Sequence, residues 1–102
     1  MTPEGKVKAE CKKFLKARGI FFFMPVSNGM GQVGIPDIIC CYKGLFVAIE
    51  TKAPGKRANL TDNQKRIMEN IRDADGFAFV VDDPSELGVL FNSIDAYKKL
   101  NL

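Results

Sequence analysis

Residues 34–52 read GIPDIICCYKGLFVAIETK, two apolar runs separated by Lys43 and Gly44 and flanked by charge. Asp37 stands immediately before the first run, while Glu50 and Lys52 interrupt the end of the second. Runs of this length, rich in β-branched and aromatic residues, predict strands over 37–42 and 45–51 joined by a tight hairpin at Lys43–Gly44. Side chains alternate along a strand, so Ala48, Glu50 and Lys52 share one face and Val47, Ile49 and Thr51 the other. Folding at Lys43–Gly44 returns the start of the first strand to the end of the second. Asp37 is then expected beside Glu50 and Lys52.

Upstream of the hairpin, Thr2, Pro3 and Glu4 make a helix start: a capping hydroxyl, proline at the first helical position and an acid in the first turn. The helix is expected to run to about Arg18 and to stop at Gly19. Val7, Cys11, Phe14 and Leu15 recur at helical spacing, with Glu10 on the shoulder of that stripe beside Phe14. Residues 20–26, IFFFMPV, form a continuous apolar run that predicts a strand covered on both faces. SNGMGQVG, residues 27–34, holds three glycines in eight positions and predicts a mobile loop placed near the substrate.

Downstream, the basic loop KAPGKRAN leads to Thr61, which forms a capping box with Gln64 and opens a helix to about Ala74. GFAFVVDD predicts a further strand. Pro84, Ser85 and Glu86 open a last helix containing Leu87, Leu90, Phe91, Ile94 and Tyr97. The expected order is helix, three strands, helix, strand, helix, in a single domain spanning 1–102.

Composition narrows the function classes. A chain of 102 residues has room for one compact core of modest stability, to which oligomerisation would add. At 46% hydrophobic and 26% charged residues it is neither disordered nor fibrous. No apolar run approaches the length of a membrane span and no apolar signal region follows the charged start, so a cytosolic location is expected. Cys11, Cys40 and Cys41 form no C-x-x-C pair, which argues against a disulfide framework or a zinc site and for core thiols in a reducing compartment. There is no histidine, which excludes Ser-His-Asp and Cys-His catalysis and histidine-based zinc sites.

The net charge of +3 is unevenly spread: Lys6, Lys8, Lys12, Lys13, Lys16 and Arg18 face only Glu4 and Glu10 in the first eighteen residues. Lys52, Lys56, Arg57, Lys65 and Arg66 make a second basic cluster. For charge alone a solvated helix face accounts for these slightly better than a polyanion surface does.

The polar groups tied to the strands are more specific. Two carboxylates held close together repel unless a cation lies between them, and hard oxygen ligands of that kind suit magnesium or manganese. A cation there lowers the pKa of water and stabilises charge developing on phosphorus, and a neighbouring lysine can orient the attacking water. Phosphodiester hydrolysis follows from that set. Glu10 could add a carboxylate, directly or through water. Gln64 falls within the stripe Leu60, Ile67 and Ile71, where a polar side chain needs a partner. Singly, Asp37 is equally a turn residue, Glu50 and Lys52 an exposed pair, Glu10 a surface acid and Gln64 a capping member. Together they can converge on one site, and on that convergence alone a metal site and a set of separate structural roles stand evenly.

GIPD, thirteen positions from Asp37 to Glu50, ETK, and a glutamine in the next helix make a pattern that resembles the PD-(D/E)xK nuclease superfamily. GIPDIICCYKGLFVAIETKAPG with LTDNQKRIMENIRDADGFAFVV resembles more closely its virus-type replication-repair (VRR-Nuc) family, over nearly the whole chain. The resemblance implies an α/β fold with a mixed sheet flanked by helices, α-β-β-β-α-β plus a C-terminal helix. It implies a Mg2+- or Mn2+-dependent endodeoxyribonuclease in which Asp37 and Glu50 bind metal with the backbone carbonyl of Thr51. Lys52 is then the catalytic lysine, Glu10 the acid of the first helix and Gln64 the glutamine supporting the attacking water.

Standalone members of this size resemble phage-type homodimers that cut branched DNA such as four-way (Holliday) junctions, so the expected setting is the cytoplasm of a phage-infected or lysogenic bacterial cell. Lys12, Lys13, Lys16, Lys56, Arg57, Lys65 and Arg66 would track phosphates. The alternatives are a less selective flap or single-strand nuclease and a catalytically inactive nucleic-acid-binding module.

Overall fold

The computed structural model describes residues 1–26 and 33–101. The loop expected over 27–34 lies, for residues 27–32, outside the described residues. In order the elements are α1 (Pro3–Ala17), β1 (Phe21–Phe23), β2 (Ile38–Tyr42), β3 (Leu45–Thr51), α2 (Asp62–Asp73), β4 (Phe77–Val81), a 3-10 turn (Pro84–Glu86) and α3 (Leu87–Leu100). The strands lie in the order β1-β2-β3-β4. β1, β2 and β3 are antiparallel neighbours, and β4 runs parallel to β3 after the α2 crossover. This is the mixed α/β sheet with flanking helices that the sequence predicts.

The hairpin turns where expected, with Tyr42 paired to Leu45 and both Lys43 (φ 51°) and Gly44 (φ 83°) left-handed. A two-residue turn needs that conformation to match the twist of its strands. Lysine at such a position is held by α3: Lys43 Nζ donates to Asp95 Oδ1 at 2.9 Å, beside the Tyr42 hydroxyl at 2.8 Å. Lys98 Nζ also donates to the Lys43 carbonyl.

Strand alternation splits the core in two. Ile38, Cys40, Val47, Ile49 and Val81 face α1 and α3, packing on Val7, Cys11 and Leu15 and on Leu87, Phe91 and Ile94. Ile39, Ala48 and Ala78 face α2 and pack on Met68, with Leu60 and Ile71 at the margin. The apolar stripe of α3 is therefore core. Tyr97, at its far end, stays largely exposed and packs edge-on to Phe77 with ring centroids 5.3 Å apart. Cys11 and Cys40 are buried as expected, and burial pushes their thiols up to about 11 and about 12, which leaves them unreactive. Cys41 is exposed, against the expectation of three core thiols.

The strand expected over 20–26 also differs. Only Phe21–Phe23 pair, at the sheet edge, and instead of being covered on both faces Phe21 is 68% and Phe23 51% exposed. Phe21 lies across from Cys41, which lies across from Phe46, itself 48% exposed. The physical reason is the reach of α2, a single helix that covers Ile39, Ala48 and Ala78 but not Phe21, Phe23, Cys41 or Phe46. Those side chains are left as an open apolar surface beside a groove of about 430 Å³ lined by Ile35, Ile39, Phe46 and Ile71.

Candidate active site

The β2–β3 register pairs Ile38 with Ile49, so Asp37, one residue before β2, falls opposite Glu50. Asp37 Oδ2 accepts two bonds from the end of β3, from Thr51 N at 3.0 Å and Thr51 Oγ1 at 2.7 Å. The acid is thereby fixed to a central strand instead of swinging on a loop. The preceding glycine serves the same end. Gly34 (φ 89°) passes so close to the first turn of α2 that a Cβ there would lie 2.6 Å from the Asn63 backbone carbon. GIPD thus docks the acid-bearing segment on the helix that carries Gln64.

Glu50 is buried, and its Oε2 accepts from Gln64 Nε2 at 3.0 Å with Lys52 Nζ 3.7 Å away. Its other oxygen, Oε1, is buried with no hydrogen-bond partner. Burial, and then the charge of Asp37, push the Glu50 carboxyl up to about 7, against the opposing pull of Lys52. Lys52 Nζ donates to Gln64 Oε1 at 3.1 Å, and that same oxygen accepts from Thr61 N at 3.0 Å. Thr61 Oγ1 in turn accepts from Gln64 N at 3.1 Å, closing the capping box. One glutamine therefore caps α2 and holds both an acid of β3 and the amine just beyond its end, using both lone-pair directions of its oxygen.

These residues fit a divalent cation. An unpartnered buried carboxylate oxygen is costly unless something positive meets it, and a carboxyl lifted this far ionises readily once a cation arrives. Among the described residues no group of three or more His, Cys, Asp or Glu is placed to hold a metal. A cation here would rest on the Asp37–Glu50 pair and the strand end at Thr51, filling the remaining positions with water and substrate, as magnesium usually does.

Glu10 is not brought to this site. It is exposed and lines a cleft with Lys13, Phe14, Ala17, Pro84 and Ser85. Residues on a helix advance about 100° each, so a stripe centred on Val7, Cys11 and Leu15 turns Glu10 toward the 3-10 turn, away from the mouth of the β2–β3 pair. The α1 residues that reach the site are Lys8, whose Nζ is 3.5 Å from Asp37 Oδ1, and Glu4, whose charge adds to the upward push on Glu50. Glu4 had a signal in the sequence: it stands four and seven residues before Lys8 and Cys11, on the sheet-facing stripe. Its place in the first turn gave it another explanation.

Of the basic residues expected to meet phosphates, Lys13, Lys16, Lys56, Lys65 and Arg66 are exposed and Lys12 is half-buried. Arg57 is different. Its guanidinium is committed to Asp82, through Nε at 3.1 Å and an NH2 at 2.5 Å, and to Glu86. Asp82 also accepts from Gly55 N at 3.1 Å, and the Arg57 guanidinium holds its carboxyl below the usual carboxylate range. Arg57 staples the loop after Lys52 to the end of β4, so the expectation of a free phosphate contact does not hold for it.

Neither a protein-family model nor a curated protein matches the chain. Among solved structures, one described as a VRR_NUC domain superposes with a TM-score of 0.72 over 90% of this chain and 97% of that one, at 24% sequence identity. The chain has the fold of a VRR_NUC domain, a mixed four-stranded sheet flanked by helices.

Proposed function

We propose that the protein is a metal-dependent endodeoxyribonuclease, a single domain acting as a homodimer on branched DNA such as four-way junctions. The observation that carries this reading is Glu50: a buried carboxyl with one orphaned oxygen, beside Asp37 and joined through Gln64 to Lys52. A purely structural strand end would gain nothing from that arrangement.

When bound, Mg2+ or Mn2+ supplies charge stabilisation for the phosphoryl group and a more acidic water. Asp37 and Glu50 would hold the cation, with the Thr51 carbonyl as a further ligand. Gln64 locks the rotamer of Lys52, whose amine faces the incoming water and the phosphate oxygens and stabilises their developing negative charge. Water adds to phosphorus, one ester P–O bond breaks, and the departing oxygen gains a proton, leaving a phosphate monoester and a hydroxyl. Exposed Lys13, Lys16, Lys56, Lys65 and Arg66, with half-buried Lys12, supply phosphate contacts without reading bases, so binding falls steeply with salt.

Homodimerisation is supported by the open sheet face. Phe21, Phe23, Cys41 and Phe46 carry no charge, so the face matches a second copy of itself better than a phosphate backbone. Two sites at fixed separation suit paired incision of a symmetric junction. Three free cysteines accord with a reducing compartment such as the cytoplasm of a phage-infected or lysogenic cell; among the described residues no helix is long and apolar enough to cross a membrane.

The test is cleavage of a labelled four-way junction, a linear duplex and a flap of shared sequence, in Mg2+ or Mn2+, by the native chain and Lys52→Ala. Paired junction cuts that require metal and vanish in Lys52→Ala support the reading. Binding without cutting in either metal removes the enzyme, and equal cutting of all three substrates removes the junction preference alone.

A further inference from the structure

Two lysines approach the two acids of the site, and they are held very differently. Lys52 is 11% exposed, hydrogen-bonded to Gln64 and paired with Glu50. Lys8, on α1, is 31% exposed, and among the described residues its one ion pair is with Asp37 Oδ1, on the carboxylate edge that Thr51 leaves free. A divalent cation shared by Asp37 and Glu50 must approach that edge. The Lys8 amine stands in its way and repels it.

We propose that Lys8 is a placeholder cation: it neutralises Asp37 in the metal-free protein and is displaced when a divalent metal binds, so that it competes with the metal for the acid. This rests on the metal-dependent reading above. Lys52 cannot play that part, because moving it would break its bond to the Gln64 oxygen, which the capping box already holds in place through Thr61 N. Lys8 can leave at little cost, since a partly exposed ion pair is weak. Glu4, one helical turn earlier, offers the released amine a second partner at the favourable i, i+4 spacing. The device keeps two facing carboxylates from repelling each other before metal arrives, and it sets the metal affinity lower than the acids alone would give.

The experiment is calorimetric titration with Mn2+ alone, at low salt and neutral pH, on the native chain, Lys8→Met, Lys8→Arg and Asp37→Asn. Lys8→Met should bind Mn2+ roughly threefold to tenfold more tightly, the loss of a competing pair of this strength plus its residual repulsion. Lys8→Arg, which restores the charge, should return toward native affinity. Unchanged or weaker binding by Lys8→Met overturns the proposal. Lys8→Gln gives the same readout if methionine perturbs folding. Native binding that Asp37→Asn abolishes, with Lys8→Met unaltered, removes the role of Lys8 and leaves the metal site standing. A native chain that binds no Mn2+, or binds it as Asp37→Asn does, overturns both.

Discussion

Glu50 makes the metal-free protein lose stability as pH rises, and the size of that loss follows from its surroundings. Its carboxyl titrates near 7 in the folded chain against an ordinary value of 4.5. Between those values the folded state holds a proton that the unfolded state has released, so stability falls as pH increases through the window. Below 4.5 the cost is absent, and above 7 it is complete. A shift of that size corresponds to about 3 kcal/mol. Asp82 and Asp95 are held below the usual carboxylate range, while Cys11 and Cys40 lie well above the window, so among these shifted groups Glu50 alone titrates inside it.

The perturbation is Glu50→Gln, which keeps the shape and an oxygen for Gln64 Nε2 but cannot ionise. Urea unfolding in chelator, followed by circular dichroism, should show the native chain losing about 2.5 kcal/mol between pH 5 and pH 8 relative to the variant. In thermal melts that difference is on the order of 10–20 °C for a domain of this size. Mn2+ at a hundred times its dissociation constant should return about 2.7 kcal/mol to the native chain and little to the variant. Parallel pH profiles for the two proteins would refute the reasoning, since Glu50 would then be neither desolvated nor crowded by Asp37.

Three further outcomes follow from the same geometry. Gly34→Ala combines a left-handed backbone with a Cβ 2.6 Å from Asn63, and should cost about 2–4 kcal/mol by urea midpoint; native stability would mean that GIPD does not press on α2. Gln64→Ala should lose the side chain's half of the capping box, about 1 kcal/mol, yet lower cleavage at least a hundredfold; a variant that cuts normally would separate the helix cap from the site. Asp82→Ala should speed hydrogen exchange at the Gly55 amide at least tenfold above pH 4, where the carboxylate is ionised, and an unchanged exchange rate would mean that the Arg57 staple does not hold this loop.

Much of the architecture was legible in the sequence because it rests on local rules. Lys43–Gly44 between two strand-like runs fixed the hairpin, period-two alternation put Glu50 and Lys52 on one face, and Thr61 with Gln64 fixed the start of α2. The pairing of Asp37 with the end of β3 followed from the hairpin, since a two-residue turn sets the register of everything beyond it.

What the sequence left open depends on how elements pack. The apolar run at residues 20–26 looks the same whether a strand is central or at an edge, and only the reach of α2 decided that Phe21 and Phe23 are uncovered. Arg57 reads as a surface cation until β4 ends beside it with Asp82. Glu4, Lys8 and Glu10 all lie on one helix, and their spacing gives relative angles without an origin. The docking of α1 on the sheet sets that origin, turning Lys8 toward Asp37 and Glu10 away. Local sequence thus determined the elements and the register of the acids, and tertiary packing alone decided which neighbours reach them.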